Sequence, residues 1–182
     1  AISELINAAN AASKVIIVDP KGVDYSRYRG ADIITPNRRE LFEATGIATG
    51  SDEEVTLAAQ SLIETHGFGA VLATRSKDGM TLLSKDGTLS HLRAEAIDVF
   101  DVSGAGDTVV ATLAAALGAG ADLKDAARLA NLAAGIVVGK VGTAVAFVND
   151  VLAVLHHQDL SNAEAKILAL GPALELIDKW RR

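Results

Sequence analysis

The stretch VFDVSGAGDTVVATLAAAL, Val99–Leu117, sets two glycines and Asp107 directly before a long apolar run that is typical of a buried helix. Glycines let backbone N–H groups approach an anion closely, and the first N–H groups of a helix lack partners and lie at its positive end. We therefore predict an anion hole formed by Gly104, Ala105 and Gly106. Asp107 is then the acceptor of a proton from a substrate hydroxyl. On these residues alone, a tight turn that only starts a helix is an open alternative.

The order of residues in this stretch excludes two other nucleotide-binding motifs. A P-loop is excluded because no GKS or GKT follows the glycines. The dinucleotide pattern G-x-G-x-x-G is excluded because Thr108 and Val109 stand where that pattern would continue.

The composition narrows the classes of function that the chain can serve. Of its 182 residues, 49% are hydrophobic and 22% are charged, which is enough apolar material for a packed core. The net charge of −6 argues against a nucleic-acid partner, which would need a basic face. The chain has no cysteine, so we expect neither disulfides nor thiolate metal sites. It has neither the pattern of a signal peptide nor an apolar run long enough to span a membrane, so we expect a cytoplasmic protein.

Hydrophobic periodicity predicts strands that alternate with helices. Strands are expected in KVIIVDP, ADIITPN, GAVLATRS and, at an edge, TAVAFVN. A hairpin is expected around Asp86-Gly87, a pair favoured in tight antiparallel turns. Ser51 and Glu54 have the spacing of a capping box at a helix start. Helices are expected over residues 1–13, 38–46, 51–67, 105–117, 123–138, 149–156 and 171–182. This alternation predicts an α/β sandwich with a largely parallel sheet.

Polar residues stand where the predicted parallel strands end. Asp19 ends the first strand, Asn37 follows the second, and Thr74 and Arg75 end the third. Ligands of such sheets bind beyond the carboxyl ends of the strands. We therefore expect these residues and the Gly104–Asp107 turn to lie along one edge of the sheet.

Two short motifs resemble those of a known family. DVSGAGD, residues 101–107, resembles the C-terminal signature D-(T/V)-x-G-A-G-D of the ribokinase-like, or PfkB, carbohydrate kinases at all seven positions. PNRRE, residues 36–40, resembles the N-x-x-E motif of that family. Within the family, residues 15–46 are most similar to the D-glycero-β-D-manno-heptose 7-phosphate kinase modules of bifunctional heptose kinase/adenylyltransferases. Residues 166–182 are similar to the connector that leads into the adenylyltransferase half.

The resemblance implies ATP-dependent phosphorylation of the anomeric hydroxyl of that heptose phosphate, with Mg²⁺ bound beside the nucleotide. It implies that Asp107 is the catalytic base and that Asn37 and Glu40 organise Mg²⁺ through water. Lys21 is implied near the nucleotide phosphates. TRSKDG, residues 74–79, departs from the family pattern T-x-G-x-x-G, because Ser76 replaces the first glycine. The implied ATP-binding residues are Asp19, Asn37, Thr74, Arg75, Gly79, Asn131 and Gly142.

Several alternatives stay open at this point. Asn37 and Glu40 have the spacing of a helix capping box, and Asp19 before Pro20 is also a common way to end a strand. Another sugar or nucleoside kinase of the same fold, or an anion-binding module without catalysis, fits the same motifs. His156 and His157 have no partner at metal-ligand spacing, so no metal site is expected there.

The resemblance also predicts the organisation of the chain. The sugar-binding residues and lid of ribokinase-like enzymes belong to a part of the domain that has no counterpart here. Residues 1–155 are therefore expected to be the C-terminal part of a ribokinase-like three-layer sandwich, 156–171 a linker, and 172–182 the start of a further helix. We expect the isolated chain to show little kinase activity. We also expect its first strand to pair with a second copy of the chain or to be covered by the N-terminal helix.

Overall fold

The structure, a computed structural model, describes residues 1–94, 101–142 and 144–165 of the chain, with side chains up to residue 156. The chain divides into two compact units, Ala1–Ala146 and Phe147–Arg182. The predicted boundary at residue 155 and the predicted helix over 172–182 stay predictions, and residues 166–182 lie outside the described residues.

The first unit is built on a five-stranded sheet whose strands lie side by side in chain order. The first three strands are parallel, and the last two form antiparallel hairpins with their neighbours. The predicted hairpin at Asp86-Gly87 joins the last two strands. The α/β fold with a mostly parallel sheet is therefore confirmed. The strands are β1 (Ile17–Val18), β2 (Ile33–Ile34), β3 (Ala70–Thr74), β4 (Met80–Ser84) and β5 (Leu89–Leu92).

Helices cover both faces of this sheet. They are α1 (Ile2–Ala11), α2 (Arg38–Thr45), α3 (Asp52–His66), α4 (Ala105–Gly118) and α5 (Leu123–Val138), and short 3₁₀ turns span Tyr25–Tyr28 and Ser76–Asp78. One core combines Ile34 and Val71 with α2 and α3, and the other combines Ile33 and Leu72 with α4 and α5. Neighbouring residues of one strand enter opposite cores because side chains alternate across a sheet. The result is a three-layer sandwich.

Local sequence signals account for the ends of α2 and α3. Each helix begins with a complete capping box, formed by Asn37 with Glu40 and by Ser51 with Glu54. Each ends at a glycine in the left-handed region, Gly46 at φ 69° and Gly67 at φ 78°. These positions favour glycine because it has no Cβ to clash there.

The edge strand predicted in TAVAFVN is not found: residues 144–147 have no regular structure, and helix α6 (Val148–Ala165) begins directly after them. The physical reason is that Val145 has no sheet neighbour among the described residues to bury it; Val145, Phe147 and Val148 are all exposed. Phe147 instead caps the helix, because its N–H donates to Asp150 Oδ2 at 3.1 Å and its C=O accepts from Val151 N–H at 3.2 Å.

The predicted linker also differs from its expected form. The sequence predicts a helix that ends at His156 and a polar linker after it, but the helix continues to Ala165. Residues 156–165 contain neither glycine nor proline, so their polarity does not interrupt a helix.

Candidate functional site

The carboxyl ends of β1, β2 and β3 bring three of the predicted residues to one edge of the sheet. Asp19 follows β1, Asn37 lies three residues beyond β2, and Thr74 ends β3. Asn37 and Thr74 extend the parallel pairing as an isolated bridge, and Thr74 N–H donates to Pro36 C=O at 2.9 Å. We call this border of the sheet the strand-end edge.

The start of α4 is connected to the same edge. Because β4 runs antiparallel to both neighbours, β5 runs parallel to β3, and its last residue Leu92 pairs with Met80, the partner of Thr74. Arg93 therefore lies at the strand-end edge, where its C=O accepts a hydrogen bond of 2.7 Å from Asn131 of α5. Asp101 N–H donates to Val138 C=O at the end of α5, at 3.4 Å. The segment that enters α4 thus meets the end of α5 that faces this edge.

The glycine turn at the start of α4 has free donors. Gly104 lies in the left-handed region at φ 78°, and no side chain caps the helix. Ala105 N–H donates to Val102 C=O, whereas the N–H groups of Gly106 and Asp107 find no acceptor among the described residues. A Cβ built on Gly106 would meet no described atom within 4 Å, so the space beside the turn is open. Two free N–H groups and the positive helix end can therefore receive an anion, next to the exposed carboxylate of Asp107.

A lysine joins two carboxylates at the strand-end edge. Lys21 Nζ lies 2.9 Å from Glu40 Oε1 and 3.1 Å from Asp19 Oδ2. The hydrogen bond to Glu40, more than the one to Asp19, raises the pKa of Lys21. The buried Tyr28 hydroxyl accepts from Lys21 N–H and donates to Lys21 C=O, both at 3.0 Å. Tyr28 therefore fixes the backbone of Lys21, although the sequence did not single it out.

Asn37 and Glu40 serve the helix cap that was predicted as their alternative role. Asn37 Oδ1 accepts from Glu40 N–H, and Glu40 Oε2 accepts from Asn37 N–H, both at 2.9 Å. The cap leaves Glu40 Oε1 facing Lys21, so a capping role and a ligand role use different oxygens of the same carboxylate. Asp19 and Glu40 offer the hard oxygen donors that Mg²⁺ prefers when it keeps several waters. Within the described residues no group of three or more His, Cys, Asp or Glu could hold a metal by itself.

The guanidinium of Arg75 lies inside the protein. Its side chain is 4% exposed, and Nη1 contacts Asp52 Oδ1 at 2.5 Å and Thr81 Oγ1 at 3.0 Å. This pair lowers the pKa of Asp52, chiefly through the hydrogen bond from Arg75. An ATP contact of Arg75, as the resemblance implies, would therefore have to come from its backbone.

Two of the remaining predicted residues, Gly79 and Asn131, have structural roles of their own. Gly79 lies at φ +84°, and a Cβ on it would fall 1.9 Å from Leu92 C=O. Ser76, which stands where the family has glycine, is at φ 53°, in the left-handed region that glycine favours. Asn131 is buried, and its side-chain amide donates a hydrogen bond to Arg93 C=O. Gly142 lies beyond the end of α5 at φ 76° and has no described atom near its Cβ position.

An ion pair between Arg38 and Asp78, with Nη2 and Oδ2 at 2.7 Å, also lies beside the strand-end edge. No sequence motif predicts this pair or the Asp52–Arg75 pair, because each joins residues far apart in the chain. A separate cavity of about 490 Å³ lies at the opposite border of the sheet, beside Gly69, Lys85 and Lys124.

Among the described residues, no helix combines the length and the apolar character needed to cross a bilayer.

Two proteins of similar sequence share a name. The chain is 63% identical over 179 residues to "Bifunctional protein HldE" of Paramagnetospirillum magneticum, and 56% identical over 180 residues to the protein of that name in Rhodospirillum rubrum. These matches cover 98% and 99% of this chain but 37% and 36% of the relatives. The chain therefore spans well under half the length of these relatives.

Solved structures share the fold. Arabidopsis thaliana ribokinase, in complex with ribose and ATP, matches with a TM-score of 0.77 and 27% identity over 85% of this chain and 51% of its own. Escherichia coli phosphofructokinase-2, in complex with potassium, matches with a TM-score of 0.76 and 20% identity over 86% of this chain and 51% of its own, a likeness of fold alone.

The signature at the start of α4 agrees with a match that extends along most of the chain. Residues 1–149 match the pfkB family of carbohydrate kinases. Both the glycine turn before Asp107 and the Asn37–Glu40 motif lie inside this range. The chain therefore belongs to the pfkB family of carbohydrate kinases.

Proposed function

We propose that the protein that carries this chain transfers the γ-phosphoryl group of ATP to the anomeric hydroxyl of D-glycero-β-D-manno-heptose 7-phosphate. The product is the 1,7-bisphosphate, a precursor of ADP-heptose and of the lipopolysaccharide core. The observation that carries this proposal is the start of α4, where two free N–H groups stand beside exposed Asp107. The choice of sugar rests on the resemblance of residues 15–46 and is supported by the shared name of the most similar relatives.

Asp107 acts as the catalytic base in this proposal. It accepts the proton of the sugar hydroxyl as that oxygen forms a bond to the γ-phosphorus, and the bond to the β–γ bridging oxygen breaks to release ADP. The N–H groups of Gly106 and Asp107 donate to the phosphoryl oxygens, on which negative charge is concentrated. Of the predicted anion hole of Gly104, Ala105 and Gly106, Gly106 has a free N–H group, whereas the Ala105 N–H already donates to Val102 C=O. The proposed donors and the base thus come from one helix turn.

The strand-end edge supplies the nucleotide side of the site. Asp19, Lys21, Asn37 and Thr74 are proposed to border the phosphates, and Asn37 and Glu40 to hold Mg²⁺ through water. Mg²⁺ bound with ATP neutralises charge on the phosphate oxygens. Asn131 and Gly142 are proposed near the adenine, and Gly79 beside the triphosphate. The oligomeric state remains a prediction.

The test replaces Asp107 by asparagine in the full-length protein. We expect turnover to fall by about 10²–10⁴-fold, the usual contribution of a general base, with ATP binding retained. Asp125→Asn is the matched control, because Asp125 occupies the same third position of the neighbouring helix α5. The control should keep its turnover.

Two results would count against the proposal. Full turnover in Asp107→Asn would indicate an anion-binding module without this catalysis. Turnover with another sugar but not with the heptose phosphate would indicate a different kinase of the same family.

A further inference from the structure

The turn between β3 and β4, residues 75–79, is tied to the starts of two helices. Arg75 Nη1 contacts Asp52, the first residue of α3, and Asp78 contacts Arg38, the first residue of α2. The turn thus offers a cation to one helix and a carboxylate to the other. The two contacts have opposite polarity, so Arg75 cannot pair with Arg38 and Asp78 cannot pair with Asp52. The turn therefore fits against the two helices in one orientation.

The arginines of these two ion pairs differ in burial. Arg75 is 4% exposed and its contact to Thr81 is buried, whereas its partner Asp52 is 42% exposed, so only the guanidinium side of that ion pair is shielded from water. The side chains of Arg38 and Asp78 are 29% and 41% exposed. Their contact is a close approach of charges rather than an aligned hydrogen bond, since Nε and Nη2 of Arg38 meet no acceptor with suitable geometry in the described part of the chain.

One residue of the turn, Ser76, is held in a conformation that it does not favour. Ser76 lies at φ 53°, which brings its Cβ too close to the backbone for an L-residue. Gly79 lies at φ +84° against the Leu92 carbonyl. Residues in such regions persist only when the surrounding contacts determine them, and they concentrate at binding and catalytic sites. The ion pairs at both ends of the turn are contacts of this kind.

The turn also lies where its orientation affects the candidate site. Its first residue follows Thr74 directly, and Thr74 bridges Asn37 across the strand-end edge. Arg38 follows Asn37 in the same way. A contact between Arg38 and Asp78 therefore joins the two segments that flank the Asn37–Thr74 bridge.

We propose that Arg38 and Arg75 are positioning residues for the nucleotide: their ion pairs with Asp78 and Asp52 hold the β3–β4 turn against the starts of α2 and α3, so that the strand-end edge is formed before ATP binds. This inference rests on the proposed function. Arg75 acts from inside the fold, without touching the nucleotide through its side chain. A site held in this way loses less freedom on binding, and that increases affinity.

The test uses the Arg38–Asp78 pair, because its partial exposure lets variants fold. Arg38→Gln, Asp78→Asn and the exchanged double variant R38D/D78R are made in the full-length protein. The dissociation constant of a non-hydrolysable ATP analogue is measured by calorimetry, together with kcat, the KM for ATP and for the sugar phosphate, and the melting temperature. Arg128→Gln is the control, since Arg128 forms a longer and more exposed contact with Asp125 on α5, at 3.6 Å with both side chains 64% exposed.

We expect each single variant to weaken binding of the ATP analogue about fivefold, the effect of losing a partly exposed ion pair. The KM for ATP should rise in parallel, with kcat and the KM for the sugar phosphate unchanged. The exchanged double variant should recover most of the loss, and Arg128→Gln should bind as the wild type does.

Unchanged binding in Arg38→Gln and Asp78→Asn overturns the inference and leaves the proposed kinase intact. A fall in kcat and melting temperature without a change in binding also overturns it, since it indicates a structural role. Failure of the wild type to bind the analogue at all overturns the proposed function itself.

Discussion

Replacing Gly79 by alanine tests whether this glycine serves the fold or only a close approach of nucleotide. Gly79 lies at φ +84° and ψ −128°, a conformation in which residues with a Cβ are very rarely found. A Cβ there would lie 1.9 Å from Leu92 C=O and 2.6 Å from Ala94 N. Both neighbours are backbone atoms, so they cannot rotate away as a side chain could.

Gly87→Ala provides the matched control. Gly87 lies at φ +88° in the turn between β4 and β5, and a Cβ there would meet no described atom within 4 Å. Its substitution carries only the backbone cost of a left-handed residue, about 1 kcal/mol of unfolding free energy. Gly79→Ala carries at least that backbone cost and, in addition, the cost of an overpacked contact with a fixed backbone, so we expect about 3–4 kcal/mol.

Thermal unfolding followed by circular dichroism measures the difference. For a chain of this length, 1 kcal/mol corresponds to about 2–4 °C in melting temperature. We therefore expect Gly79→Ala to melt about 10 °C below the wild type and Gly87→Ala about 3 °C below it. Equal melting temperatures for the two variants would refute the packing argument. Loss of ATP binding in a stable Gly79→Ala would then assign the glycine to the nucleotide instead.

Two further predictions concern the same turn. Ser76→Gly should raise the melting temperature by about 1–3 °C, because relief of the left-handed strain slightly exceeds the added freedom of the unfolded chain; an unchanged or lower melting temperature would contradict this. Arg75 lowers the pKa of the Asp52 carboxyl below its ordinary value of 3.8. The contribution of this carboxylate to the stability of the fold is therefore complete when the pH is above 3.8, and it is lost as the pH falls through the lowered pKa of the folded state. A series of melting temperatures across this range should therefore fall more steeply for the wild type than for Asp52→Asn, and parallel curves would argue against the ion pair.

Local signals in the sequence predicted much of the fold. The S-x-x-E spacing at Ser51 and Glu54 and the terminal glycine Gly67 define α3, because caps depend on residues a few positions apart. The Asp86-Gly87 pair likewise predicted the hairpin correctly. The prediction of a strand in TAVAFVN was wrong, because β-branched residues favour a strand only where a neighbouring strand is available to pair with them.

The candidate site was predictable in its motifs but not in its contacts. The sequence placed Asn37 and Thr74 at strand ends, and the sheet register joins them. It did not reveal that the Arg75 guanidinium turns inward to Asp52, because the partner lies 23 residues earlier and on another element. The direction of a side chain at a strand end depends on the tertiary structure, which periodicity does not encode.

The charge of the chain explains why the start of α4 is central to the proposed site. ATP is strongly anionic and this chain carries a net charge of −6, so the net charge of the chain does not attract ATP. At the strand-end edge, Lys21, Arg38 and Arg75 each contact a carboxylate, so their charges are already balanced. Gly106 and Asp107 contribute N–H dipoles that carry no counter-charge to displace. Such dipoles favour a phosphoryl group at short range and in a fixed direction, which is what transfer to a single hydroxyl requires.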